Sequence, residues 1–148
     1  MHNAINQDHE LNRIGAAIGC DIVDSSGRTV IVAGAVGTTG DTMVPIGKLM
    51  HEIAVEMFHE QAEGLKAGVA DVLWVVTISA QEEFSAAAEA FALAGMDCCR
   101  TMSFDTAGHT MMGLASANMV KMVKNLIINR WDMVPTVALV QLINYAQS

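Results

Sequence analysis

"DVLWVVTISAQEEFSAAAEAFALAGMDCCRTMSF" occupies residues 71–104, and the fold is decided by how it is read. Residues 71–76 are an apolar, β-branched run of the length of one buried strand. "SAQE", Ser79 to Glu82, has the spacing of a capping box, in which a hydroxyl and a carboxylate satisfy the free N–H groups of a helix start. The helix that follows carries Phe84, Ala87, Ala88 and Phe91 on one side and runs to Gly95. A further strand is expected over about 98–104. Strand, helix and strand in succession imply two parallel strands joined by a right-handed crossover.

The same rhythm extends outward. Residues 9–24 read as a helix with Leu11, Ile14, Ile18 and Ile22 on one face, although Gly15 and Gly19 each cost about 1 kcal/mol relative to alanine. "SSGRTVIVAG" supplies a turn and a strand over 29–33, and "AVGTTGDTMVPIG" a loop. A helix is expected from near Pro45 to Lys66, lined by Leu49, Ile53, Met57 and Leu65 and ended by Gly68. After the loop "DTAGHTMMG", Ser116 starts another helix, with Met119, Val120, Val123 and Leu126 inward. The order is one helix and then three β–α units. Three strands do not close a barrel, which takes eight strands and typically about 250 residues.

Composition narrows the function classes. The 148 residues are 52% hydrophobic and 16% charged, a globular composition of about one domain. A net charge of −8, with eight scattered Lys and Arg, excludes a nucleic-acid surface. No run approaches the roughly 18 apolar residues of a membrane span. The first residues carry no basic-then-apolar signal, and three cysteines fit a reduced, cytoplasmic setting.

In parallel α/β architectures the active groups come from loops after the strands, here those beginning at Gly34, Thr77 and Asp105. "GAVGTTG", residues 34–40, is neither a dinucleotide fingerprint nor a P-loop and reads as a tight strand-to-helix connection. His51 and His59 lie eight apart on one helix, too far for a metal pair, and read as a solvated face. Cys98 and Cys99 point to opposite faces of a strand and read as small buried hydrophobes, while Cys20 stands alone. Asp105, at a strand end, either positions a substrate or caps its own loop, and spacing leaves both open.

"VEMFHEQAEGLKAGVADVLWVVTIS", "EEFSAAAEAFALAGM" and "TMSFDTAGHTMMG", with "HNAINQDHELNRIGAAIGCDIVDSSGRTVIVAGAVGTTG" before them, closely resemble bacterial betaine–homocysteine S-methyltransferases and their homocysteine S-methyltransferase relatives. The resemblance covers residues 1–126. It implies an α/β fold, a partial (β/α)8 TIM-type barrel of roughly strands three to five with their helices. It implies homocysteine and a methyl donor such as betaine as partners. The family's cofactor is a zinc ion on three cysteine thiolates, which lowers the substrate thiol's pKa. The family's "ETIS" is "VTIS" here, so Val76 replaces the glutamate that holds the substrate's amino group. Thr38 stands where proline is usual, and His109 where arginine is common. Carried over by position, the substrate-binding candidates are Thr77, Asp105 and Thr106. No zinc cysteine is present, so no zinc is expected on this chain and none of its residues is a metal ligand.

The family's first zinc cysteine, in a G-x-N-C strand, should follow Leu126 shortly, yet the chain continues "IINRWDMVPTVALVQLINYAQS". Reading residues 126–140 from the third base of each preceding codon forces glycine at Trp131–Asp132 and again at Met133–Val134. Synonymous choices elsewhere permit G-Y-G-A-N-C. Residues 127–148 are therefore expected to be an out-of-frame tail. The leading expectation is a truncated, inactive methyltransferase fragment that self-associates through exposed sheet edges. A flavodoxin-like binding module, with a ligand near Gly37, Thr77 and Asp105, is the alternative from another class. A fragment complementing a second chain is a third.

Overall fold

The structure is a computed structural model, and it describes residues 7–102, 104, 107–119 and 121. Its elements are α1 (Asp8–Ser26), β1 (Ala33–Val36), α2 (His51–Ala67), β2 (Val72–Ile78), α3 (Gln81–Ala94) and β3 (Cys98–Met102). The strands form one parallel sheet in the order β1-β2-β3. A helical turn with Met119 buried begins at Ser116, where a helix was expected. Val120, Val123 and Leu126 lie outside the described residues.

One face of the sheet makes the core. Val36, Leu73 and Val75 are completely buried, and Cys98, in register with Leu73, packs against the same cluster. The alternate positions behave differently: Ala33 and Ala35 are exposed, while Val72, Trp74, Val76 and Cys99 are half-buried. Residues of a strand alternate between faces, so all three helices lie on one side. α1 packs beside α2 and α2 beside α3 in a single layer. Cys98 and Cys99 point to opposite faces, as expected. Among the described residues nothing covers the second face, whereas a doubly wound module carries helices on both.

Several boundaries differ from the expectation. The β-branched run 29–31 is not a strand, and Ile31 is 72% exposed. Pairing with β2 fixes the strand further along. The Asp71 side chain accepts from the Val32 N–H at 2.7 Å, and the Asp71 N–H donates to the Val32 carbonyl at 2.9 Å, so the ladder starts there. α2 starts at His51 and not near Pro45, because residues 42–49 hydrogen-bond among themselves. Val44 N–H donates to Leu49 O at 3.0 Å and Gly47 N–H to Met43 O at 2.8 Å. A Cβ on Gly47 would collide with the Thr42 carbonyl, so this turn requires glycine. α2 buries Ala54, Val55, Phe58, Ala62 and Leu65, and leaves Ile53 half exposed.

The capping box does not form. The N-cap of α3 is Ala80, without a side-chain cap, and Ser79 precedes it. The apolar stripe of α1 faces outward: Leu11 is 54%, Ile14 41%, Ile18 56% and Ile22 64% exposed. Among the described residues β1 is an edge strand of the sheet, so α1 has chiefly α2 to rest on. The close approach is made where α2 has no side chains. A Cβ on Gly64 would lie 2.5 Å from the His9 carbonyl, and one on Gly68 would strike that of Arg13.

Candidate functional site

The carboxyl ends of β1, β2 and β3 open at one end of the sheet, where parallel α/β folds place their chemistry. β2 ends irregularly. Its register against β3 steps from Val75↔Arg100 to Ile78↔Met102, leaving one extra residue on β2, a β-bulge. Thr77 sits in the bulge with φ +64°, a left-handed conformation rare for a threonine, and is exposed. The Thr101 hydroxyl donates to the Val75 carbonyl at 2.9 Å beside the bulge. Strain held at a strand end by neighbouring bonds is a common mark of a binding site. Val76 lies in the same bulge, half-buried, on the face that the helices leave open.

The loop after β1 forms the adjoining wall. Gly37 and Thr38 are exposed at the strand end. Thr39 donates to the Glu83 carboxylate twice, from its backbone N–H at 2.8 Å and from its hydroxyl at 2.8 Å. Glu83, in the first turn of α3, is only 7% exposed. Further out, His51 Nε2 lies 2.9 Å from a Glu89 carboxylate oxygen. An open cleft of about 450 Å³ lies where the first turns of α2 and α3 meet, lined among others by Met43, His51, Glu52, Gln81 and Ser85. Neither Val76 nor Thr77 lines it.

After β3, the buried Thr110 holds a tight turn by accepting from Leu114 N–H at 3.1 Å through its hydroxyl and at 2.8 Å from Gly113 N–H through its carbonyl. Asp105 and Thr106 lie outside the described residues, so of the three substrate candidates only Thr77 has a described place. Sequence reasoning missed Glu83 and Thr39. Three acidic or amide residues open α3, Gln81, Glu82 and Glu83, and nothing in their order marks Glu83 as the buried one.

The thiols do not meet. The Cys20 thiol, on α1, donates to the Val69 carbonyl at 3.1 Å. Cys98 faces the core, and Cys99 lies beside Trp74 on the open face. Desolvation, then the charges of Asp71, Asp24 and Asp21, push the Cys20 thiol above its ordinary value. Among the described residues no three His, Cys, Asp or Glu side chains gather to hold a metal ion. The described residues therefore do not fit a three-thiolate zinc site. Among them, no helix is long and apolar enough to cross a membrane.

Among curated proteins none matches the chain. Among solved structures, the apo crystal structure of the homocysteine methyltransferase MmuM from Escherichia coli matches with a TM-score of 0.70 at 18% identity. The match covers 82% of this chain and 48% of that one, so this chain spans about half the length of the solved relative. At that identity the likeness speaks for the fold, and the expected partial barrel, with a parallel sheet and its helices on one side, is what the described residues form. The homocysteine S-methyltransferase model matches residues 1–139, well over half of the chain, and the protein belongs to that family.

Proposed function

We propose that the chain is the central part of a homocysteine-binding (β/α)8 domain whose complete form transfers a methyl group from betaine or a similar donor to homocysteine, giving methionine. The family match over residues 1–139 carries this reading. The strained strand end at Thr77 and the loop walls beside it support it, since they lie where such folds bind ligands. Thr77 is the described substrate contact in this proposal, with Asp105 and Thr106 assigned by position.

The chain by itself is proposed to be inactive. A substrate ammonium at the end of β2 calls for a carboxylate, and Val76 offers none. Glu83, the buried carboxylate nearby in α3, is already engaged by Thr39. In the family, zinc supplies an activated thiolate, whereas the described thiols of this chain lie apart and would not hold the ion together. Three free cysteines fit the reducing cytoplasm as the setting. Incubating purified chain with zinc, homocysteine and betaine, and measuring methionine and bound metal, tests the proposal. The expected outcome is no methionine and no stoichiometric zinc. Tight one-to-one zinc binding with homocysteine-dependent transfer would overturn it.

A second reading is favoured by one observation, the sheet face that no described residue covers, with the exposed Ala33 and Ala35 and the half-buried Trp74 on it. It fits a chain that self-associates or completes its barrel with a second polypeptide. Residues 127–148 are proposed to be an out-of-frame tail. Sequencing the gene from codon 120 onward decides: a gained or lost base supports the proposal, and an unchanged frame sinks it.

A further inference from the structure

We propose that Glu83 is the positioning residue for the loop after β1, holding its Gly37–Thr39 stretch as a fixed wall of the strand-end site. Three observations lead there. Glu83 is the third residue of α3, where a glutamate ordinarily folds back onto the N–H of its own N-cap. Here it turns away from its helix and crosses to a residue 44 positions earlier. It is also buried, and a carboxylate leaves water at a cost of several kcal/mol unless donors replace the lost solvent. Thr39 supplies two donors to one oxygen, both at 2.8 Å, and the positive end of the α3 dipole lies beside them.

The tether is specific in what it fixes. Thr39 is bound through its backbone, so the peptide plane that follows the exposed Thr38 is set directly. The Thr39 hydroxyl also lies 3.4 Å from the Asp41 N–H it accepts from, which carries the order two residues further. Beyond Asp41 the loop is closed by its own bonds and by the burial of Met43. Glu83 thus links the loops at the ends of β1 and β2, and a ligand over those ends meets one rigid rim. An acceptor oxygen in this geometry is the requirement, and the negative charge is secondary. Glutamine keeps that oxygen and alanine does not.

Hydrogen–deuterium exchange of the whole chain tests this, reading the peptide that contains residues 37–42. Glu83→Ala is expected to raise exchange there by about tenfold, the scale of losing a hydrogen bond of about 1.4 kcal/mol. Glu83→Gln is expected to stay within about twofold of the wild type. Thr39→Val, which keeps the backbone bond and loses the hydroxyl, is expected to fall between them. α1 serves as the reference segment and should be unchanged in all three. If Glu83→Ala fails to fold, the intermediate response of Thr39→Val carries the test. The proposal is overturned if residues 37–42 exchange alike in every variant, or if Glu83→Gln behaves as Glu83→Ala. Adding homocysteine forms a separate arm, which rests on the functional reading above. Slowed exchange at 37–42 in the wild type but not in Glu83→Ala supports both ideas. No slowing in any form counts against homocysteine binding and leaves the alanine–glutamine contrast to decide the tether.

Discussion

Cys20 and Thr77 show how much single residues here depend on neighbours distant in sequence. The Cys20 thiol is raised by desolvation and by three carboxylates, and it donates to the Val69 carbonyl. A raised folded value means that stability is fully present below the unfolded thiol's pKa and is lost as pH rises through the folded one. Native chain should therefore be alkylated at Cys20 more slowly at pH 8 than chain in urea, and it should lose stability above about pH 9. Cys20→Ser should lack that alkaline component. Peptide mapping after iodoacetamide labelling and melting curves across pH check both. At Thr77, glycine would relieve the left-handed strain at some cost in chain entropy, for a net gain of about 0.5–1 kcal/mol. Urea titration of Thr77→Gly measures it, and a loss instead would show that the threonine side chain contributes to the fold.

Among the elements, α2 and α3 form the firm part of the chain. Phe58 and Phe91 meet edge to face with centroids 6.3 Å apart and planes at 74°. Both are completely buried. The Lys66 ammonium donates to the Ala94 carbonyl at 2.6 Å, tying the last turn of α2 to that of α3. Phe91→Ala should cost about 3–5 kcal/mol, a large share of the total stability of a small domain. Chemical denaturation should show that drop, and a change below about 1 kcal/mol would mean that the interface collapses around the gap. α1 contrasts with this pair, since its apolar stripe points to solvent and its contact with α2 relies on Gly64 and Gly68.

At the scale of the molecule, the stripe of α1 and Ile31 are apolar surface that no described residue covers. Leu11, Ile18, Ile22 and Ile31 are each more than half exposed. Patches of this kind drive association in isolated domains. Sedimentation of the purified chain should show species heavier than the 15.8 kDa monomer, increasing with concentration. Ile18→Lys should shift them toward the monomer, and a wild type that stays monomeric at high micromolar concentration would contradict the expectation. The net charge of −8 opposes association, so the effect should grow with added salt.

By itself the sequence determined the order of elements, the parallel sheet, the αβ layering and the family. The elements and the sheet follow from local periodicity: the apolar run at 71–76, the Phe84–Phe91 spacing and the glycines that end helices are visible without knowing what they touch, whereas the family follows from the resemblance of long strings such as "TMSFDTAGHTMMG". For the site the sequence offered a place, the strand ends, and three candidates, of which Thr77 alone lies among the described residues. The tertiary structure decided the rest. Strand limits shifted because Asp71, not β-branching, sets where β1 begins to pair. The face of α1 turned outward because an apolar stripe is buried only if something lies opposite it. Glu83 gained its role because Thr39 comes within 2.8 Å of it in space while standing 44 residues away in the chain. A pattern along a chain records what a residue prefers, and which partner satisfies that preference is fixed only when the elements pack.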